Sequence, residues 1–241
     1  MHLSLMTCLN QLELLLEQKT KQMKKQLQFI IALLFVSNLS AQTTIKGFEL
    51  GVQVAMNLSY IQGLTFYEDS ETNSVARPGI FLFGTKDLSD EFYIKPGIGL
   101  NFKGGEVVSN DIFEGEGYND IDRYKMSFLE IPVMVGYKAS DKISLETGLS
   151  LGLTLSSVDD YETTYTDFEG NSDTESGSED LSDVIKGQEL GFHIGAKYLI
   201  SSKFSGGIRY FSGSDLNKTQ LFTKINLKGF AFFVEMKMWN I

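Results

Sequence analysis

The residue with most latent chemistry in this 241-residue chain is His193. A histidine beside a serine hydroxyl and a carboxylate is the set that acyl transfer uses. A barrel enzyme acting on lipid would place that set at its outer rim, on the lipid side. His193 instead falls on the polar side of a strand pattern, "ELGFHIGAKY" (Glu189–Tyr198), where a packed interior imidazole is the simpler reading. Loss of an activity in His193→Ala would mark the enzyme reading. The second chemical feature is the run Asp159–Asp183, "DDYETTYTDFEGNSDTESGSEDLSD", with ten carboxylates and no basic residue. Its oxygens suit calcium, but their spacing departs from the EF-hand pattern. The same composition describes a solvated loop. Phe113–Asp122, "FEGEGYNDID", is a second acidic stretch. Segments this acidic repel anionic lipopolysaccharide unless divalent cations bridge the two. The third feature is Glu130 and Pro132 in "FLEIPVMVGYK" (Phe128–Lys138), a carboxylate and a proline inside an alternating apolar run.

Other chemistries are not represented. None of the motifs G-x-x-x-x-G-K-[ST], H-E-x-x-H, G-x-S-x-G or C-x-x-C is expected to supply a catalytic or binding site. Two histidines and one cysteine are too few for an ordinary zinc site, so no metal or other cofactor is expected. A net charge of −10 and a pI near 4.7 speak against a nucleic-acid partner.

The elements that carry these residues begin with an export signal. Met23–Gln42, "MKKQLQFIIALLFVSNLSAQ", has a basic start at Lys24 and Lys25, an apolar stretch Phe29–Val36, and small residues ending at Ala41. The apolar stretch is too short to span a bilayer. Residues 1–22 read as an upstream start extension, 23–42 as a signal peptide and 43–241 as the mature domain. Residues 1–42 hold four lysines and two glutamates, so the mature chain carries 17 basic and 29 acidic residues, net −12. It keeps no cysteine, which suits an oxidising compartment. No later apolar run approaches transmembrane-helix length, so a membrane location requires a closed barrel.

Period two runs through the mature chain. In Phe48–Tyr60 the even positions are Phe, Leu, Val, Val, Met, Leu and Tyr, and the odd positions are Glu, Gly, Gln, Ala, Asn and Ser. The split recurs around Phe92–Lys103, Leu129–Tyr137, Ile143–Leu155, Glu189–Tyr198 and Phe230–Met238, and more weakly in Ile80–Thr85 and Phe204–Phe211. That makes eight strands. Several run to ten residues or more, the length a tilted strand needs to cross a bilayer. Short links ("KDLSDE", "ASDK", "ISSK") alternate with long ones, about residues 61–74, 104–123 and 156–187, with an intermediate one near 212–224. An outer-membrane barrel has this order, with short periplasmic turns and long outer loops. The expected fold is therefore all-β: an eight-stranded antiparallel up-and-down transmembrane β-barrel.

A soluble lipocalin-like barrel is apolar inside and polar outside. Here Gly51, Gly97, Gly99, Gly136, Gly148, Gly152, Gly191, Gly195 and Gly207 all fall on the polar face. Small side chains suit the inside of a narrow barrel, so the polar face is placed inward and the Leu/Val/Phe face toward lipid. Aromatics near strand ends (Phe48, Tyr60, Phe92, Phe102, Tyr137, Tyr198, Phe204, Tyr210, Trp239) suit interfacial girdles. Glu130 then points inward and needs a cation, with Lys95, Lys138, Lys197, Arg209 and Lys237 as candidates. Pro132 also points inward and predicts a bulge or a broken ladder bond, near Pro96 on the neighbouring strand. A barrel of this size is filled by side chains, so no open channel is expected.

"FLEIPVMVGYK" resembles the YLEIPLLLKY hallmark of the PorT-like outer-membrane β-barrels of Bacteroidetes. "FYIKPGIGLNFKGG", "GVQVAMNLS" and "GIRYFSGSDLN" resemble other strands of that family. The resemblance spans about Gly47–Met238, and Leu129, Glu130, Ile131 and Pro132 are its most specific part. Gly97 departs from it, standing where the family usually has Glu, and so does the ending "MKMWNI", which lacks a final aromatic residue. The resemblance implies an outer-membrane barrel and, through one member, a link to type IX secretion. Together the expectations are a small non-enzymatic outer-membrane protein with long acidic outer loops and an interior polar cluster containing Lys95, Glu130 and Arg209. Its expected partners are the lipid bilayer and a protein at the outer loops or periplasmic turns. Secretion accessory and lipid-acting enzyme are the alternatives.

Overall fold

The computed structural model describes residues 47–63, 70–113, 116–219 and 224–240. The expected signal segment and upstream extension lie outside these residues. Ten strands follow in chain order: β1 Phe48–Gln62, β2 Glu71–Asn73, β3 Val75–Asp87, β4 Phe92–Phe113, β5 Glu116–Lys138, β6 Ile143–Thr166, β7 Ser172–Asp180, β8 Gln188–Leu199, β9 Phe204–Gly213 and β10 Asn226–Asn240. Eight of them form a ring in the order β4-β3-β1-β10-β9-β8-β6-β5, closed by pairing of β5 with β4. Every pairing in the ring is antiparallel. β2 pairs with β4 and β7 with β6, both outside the ring.

Alternation gives each wall strand two faces, and the apolar one is outside. Val54 is 55% exposed while its neighbour Gln53 is 4% exposed. The same holds for Leu82 beside Phe81 and for Phe232 beside Phe233, whose lumen-facing rings are buried. Such an apolar exterior has only lipid as a compatible solvent. Phe92 and Tyr137 pack at 5.2 Å beside the short turns, and Tyr210 and Phe230 at 5.5 Å at the opposite end, as girdles require. The Trp239 side chain lies outside those described. Inward glycines make room for bulk from the facing strand. The Tyr93 ring lies across Gly136 so closely that a Cβ there would fall within the ring.

The proline expectation resolves as a gap rather than a bulge. The β4–β5 register runs to Pro96–Val133 and resumes at Gly99–Glu130 without a shift, so Gly97 and Pro132 face each other unpaired. The β3–β4 ladder is likewise broken between Phe83–Gly97 and Lys86–Ile94. Proline supplies no N–H in either place.

Two of the long links are largely strand in their described residues. β4, β5 and β6 continue far beyond the belt of exposed apolar side chains, and β7 adds a further strand to them. From Ser127–Ser156 to Gly117–Thr166 the β5–β6 ladder holds 11 pairs, on the order of 35 Å of extra sheet. The segments read as loops over residues 104–123 and 156–187 are therefore largely strand, and the acidic run Asp159–Asp183 is a β-hairpin turning at Asp167–Asn171. A bulge at Leu155 marks the junction. It moves the inward side of β6 from even to odd positions, so Ser150 and Gly152 face in below it and Ser157 and Asp159 face in above it.

Candidate functional site: a sealed lumen beneath an acidic outer sheet

The lumen nearest the short turns is organised around Glu146 of β6. Lys95 (2.7 Å), Lys197 (3.1 Å) and Arg209 (3.1 Å) pair with it, and the Tyr93 hydroxyl donates to it at 2.8 Å. Glu235 shares Lys95 and Lys197, and Gln53 accepts from Arg209. Aromatic faces line the remaining side of each cation: Phe83 and Phe233 for Lys95, Phe233 for Arg209, and Tyr93 for Lys197.

The middle of the lumen holds a second cluster around Lys103. Its ammonium pairs with Glu189 at 2.6 Å and Glu130 at 3.1 Å. It sits 5.0 Å from the Phe128 ring centre and 5.3 Å from that of Phe211. Asn101 donates to Glu130 at 2.6 Å, and Asn57 donates to Asn101. The structure thus separates the residues expected to cluster. Lys95 and Arg209 share Glu146, while Glu130 pairs with Lys103 and with none of the five cations nominated from the sequence. Leu129 and Ile131 stand on the opposite side of β5 from Glu130, and Pro132 is buried inward.

His193 does meet a serine and a carboxylate. Ser150 Oγ lies 2.8 Å and Glu130 Oε1 3.4 Å from its Nε2. Ser150 also stands in the string Gly148-Leu149-Ser150-Leu151-Gly152, a G-x-S-x-G pattern that the sequence reading missed. The arrangement cannot relay a proton as an acyl-transfer triad does. Hydroxyl and carboxylate both approach one ring nitrogen, and Nδ1 has no hydrogen-bond partner among the described residues. The serine lies within a paired strand rather than on a sharp strand-to-helix turn, and is 3% exposed.

An apolar cap closes the lumen above. Ile61, Val107, Tyr124, Met126, Phe128 and Leu227 of the wall and sheet pack against Ile185, Leu216 and Ile225 from the irregular segments. These segments show no periodicity, which is why the cap was not anticipated. The two ion-pair clusters and the cap occupy the described lumen in sequence from the short-turn end outward.

The outer sheet rises beyond the cap. Its opposite face carries balanced pairs, Arg123 with Glu106 and Lys125 with Asp160. Its lumen-side face is different: Asp120 and Asp122 of β5, Asp159 of β6 and Glu179 of β7 approach one another beside Tyr124. Asp159 Oδ1 is buried without a hydrogen-bond partner among the described residues. Among those residues no three acidic or imidazole groups converge as a metal requires, so the calcium reading finds no assembled ligand set. Burial, and then the charges of Asp122, Asp120 and Glu179, push the Asp159 carboxyl up to about 7. Burial and Asp120 push Asp122 up to about 6.

Raised carboxyls bind protons in the folded sheet at a pH where the unfolded chain has released them. Stability from this source is therefore greatest at acid pH and is lost as pH rises from about 4 through 7. With the partial exposure of Asp159 allowed for, the pair is worth on the order of 2 kcal/mol between pH 5 and pH 8. Amide exchange in residues 117–127 and 156–166, corrected for intrinsic rates, should be slower at pH 5 than at pH 8. Asp159→Asn should slow it at pH 8 and flatten the dependence. A flat profile in the unmodified protein would remove the cluster from the account.

At the short-turn end the barrel opens into a cavity of about 470 Å³, bordered by Lys138, Lys142, Lys197, Lys237, Glu49 and Asp141 among others.

A family model described as "Outer membrane protein beta-barrel domain" matches residues 19–213, which leaves β10 outside the match. No curated protein matches the chain. Solved structures similar to it include Ail, the attachment invasion locus protein of Yersinia pestis, at 10% identity, covering 80% of this chain and 99% of Ail with a TM-score of 0.38. Neisserial surface protein A is 8% identical, with 80% and 97% covered and a TM-score of 0.36. OprG of Pseudomonas aeruginosa is 11% identical, with 78% and 96% covered and a TM-score of 0.30. Likeness at these scores does not extend to function.

Proposed function

Because the chain belongs to the outer-membrane protein β-barrel domain family, we propose that it is a sealed outer-membrane anchor that binds a partner through its acidic outer sheet. The observation that carries this reading is the β5–β6 ladder, which runs 11 pairs past the membrane junction and is widened by β4 and β7. A barrel that conducts needs a lumen, and this one is occupied by paired charges and an apolar cap. A barrel that only fills space needs no such sheet. The hairpin Asp159–Asp183 bears ten carboxylates and no cation, so its partner presents basic groups.

The test is binding of polylysine and polyglutamate to the protein in lipid nanodiscs at two salt concentrations. Polylysine should bind and weaken with salt. Neutralising Asp173, Glu175 and Glu179 to their amides should cost about tenfold in affinity. Binding unaffected by neutralisation, or equal for both polymers, overturns the reading. The PorT-like resemblance suggests a second reading, an accessory of protein secretion, and the 470 Å³ periplasmic cavity is the feature that favours it. Loss of secreted cargo in a deletion strain with cargo synthesis intact would support that one.

A further inference from the structure

The lipid-facing wall has an indentation between β3 and β4. Outward positions on β3 run Ile80, Leu82, Gly84, Lys86, and on β4 Ile94, Pro96, Ile98, Leu100. Gly84 has no side chain, and Pro96 offers only a compact ring. The β3–β4 ladder is also open between Phe83–Gly97 and Lys86–Ile94. The result is a groove of about 440 Å³ over Gly84, walled by Leu50, Leu82, Pro96, Ile98 and Met238. Its lining is almost wholly apolar, so it offers hydrogen bonds to nothing and contact to hydrocarbon.

Its surroundings identify which hydrocarbon. Leu82 and Ile98 are among the exposed residues of the bilayer belt, so the groove is continuous with the surface that lipid already covers. It lies at the short-turn end of the barrel, hence in the periplasmic leaflet, where phospholipid resides. Directly toward the turns, Phe48 packs along Gly84, where a Cβ would stand 3.0 Å from its Cδ1. Lys86 Nζ lies 5.6 Å from the centre of the same ring. Lys86 is exposed and makes no ion pair with any described residue. A cation at the end of an apolar groove, at the depth of an aromatic girdle, matches an acyl chain joined to a phosphate.

We propose that the barrel holds one phospholipid of the periplasmic leaflet, with an acyl chain in the groove over Gly84 and its phosphate against Lys86. The chain fills an indentation that mobile lipid would pack poorly, at the place where two ladders are broken by proline. This site is independent of the outer sheet and of what the sheet binds.

The experiment is native mass spectrometry of the full barrel, delipidated in mild detergent and titrated with dioleoylphosphatidylglycerol. Dioleoylglycerol, with the same chains and no phosphate, serves as control. The unmodified protein should retain one phosphatidylglycerol in preference to diacylglycerol. Gly84→Leu should weaken retention about tenfold, and Lys86→Gln should bring phosphatidylglycerol down to the diacylglycerol level. Ile98→Phe fills the groove from the neighbouring strand and provides the same test if Gly84→Leu fails to give a heat-modifiable barrel. A ladder of adducts without a preferred first one, or retention unchanged by groove filling, overturns the proposal. Loss on groove filling with no effect of phosphate or of Lys86 overturns the headgroup assignment and with it the choice of lipid.

Discussion

Lys103→Met should destabilise the barrel by about 3–5 kcal/mol, the usual consequence of removing one partner from a buried charge group. Lys103 is 1% exposed and, among the described residues, is the only lysine or arginine pairing with Glu130 and Glu189. Methionine fills much of the same volume between the Phe128 and Phe211 rings, so packing loss is the smaller part. What remains is two carboxylates in a water-poor lumen, held near each other by strands that cannot separate without opening the ring. Refolding into liposomes, read as the denaturant midpoint of the fast-migrating gel band, measures the loss. The triple variant Lys103→Met, Glu130→Gln, Glu189→Gln should recover most of it, because replacing a whole buried ionic group is often neutral while breaking it is not. A single variant within about 1 kcal/mol of the unmodified protein would mean that water already solvates this layer.

The wall strands were legible because two different solvents act on them. Lipid on one side and a crowded polar lumen on the other force a period of two, as in Val54, Met56 and Leu58 against Gln53, Ala55 and Asn57. Above the apolar belt lipid no longer lies on the outer side, and the apolar–polar period disappears although alternate residues such as Asp122, Tyr124, Ser157 and Thr163 are still buried. What remains there is strand propensity, "YETTYT" in β6, and cross-strand hydroxyl pairs such as Thr164 with Thr174 and Thr166 with Ser172. Those signals were present, but length and acidity masked them as loop. The partner of Glu130 was hidden for a different reason. Gly99 stands directly opposite it on β4 and has no side chain, so Glu130 leans past it to Asn101 and Lys103. Alternation says which face a residue occupies and not how far along that face its charge reaches. The G-x-S-x-G string has the same origin: Gly148, Ser150 and Gly152 are small lumen residues at period two, separated by Leu149 and Leu151 on the other face. In a barrel strand that spacing reports the wall and not a nucleophile. The cap residues Ile185, Leu216 and Ile225 carry no period at all, and only the folded chain brings them together.

Glu146→Gln should have an effect as large as Lys103→Met but a different signature. Three cations and a tyrosine hydroxyl converge on Glu146, and Glu235 is the other carboxylate in that layer. The layer holds Lys95, Lys197 and Arg209 against two glutamates, an excess of one positive charge, which becomes two when Glu146 is neutralised. Loss of about 3–5 kcal/mol is expected, reduced to the extent that Lys197 turns toward the periplasmic cavity, which it already borders. Water entering from that side would solvate the lower layer and stop at the apolar cap, which shares no residue with it. Planar-bilayer recordings of Glu146→Gln should therefore show no conductance steps, although the gel-band midpoint falls. Adding Leu216→Ser and Ile225→Ser should let steps appear, because hydration would then reach the lumen from both ends. Steps in Glu146→Gln alone would show that the charge network, and not the cap, seals the barrel, while a stable and silent triple variant would place the seal at the middle layer around Lys103.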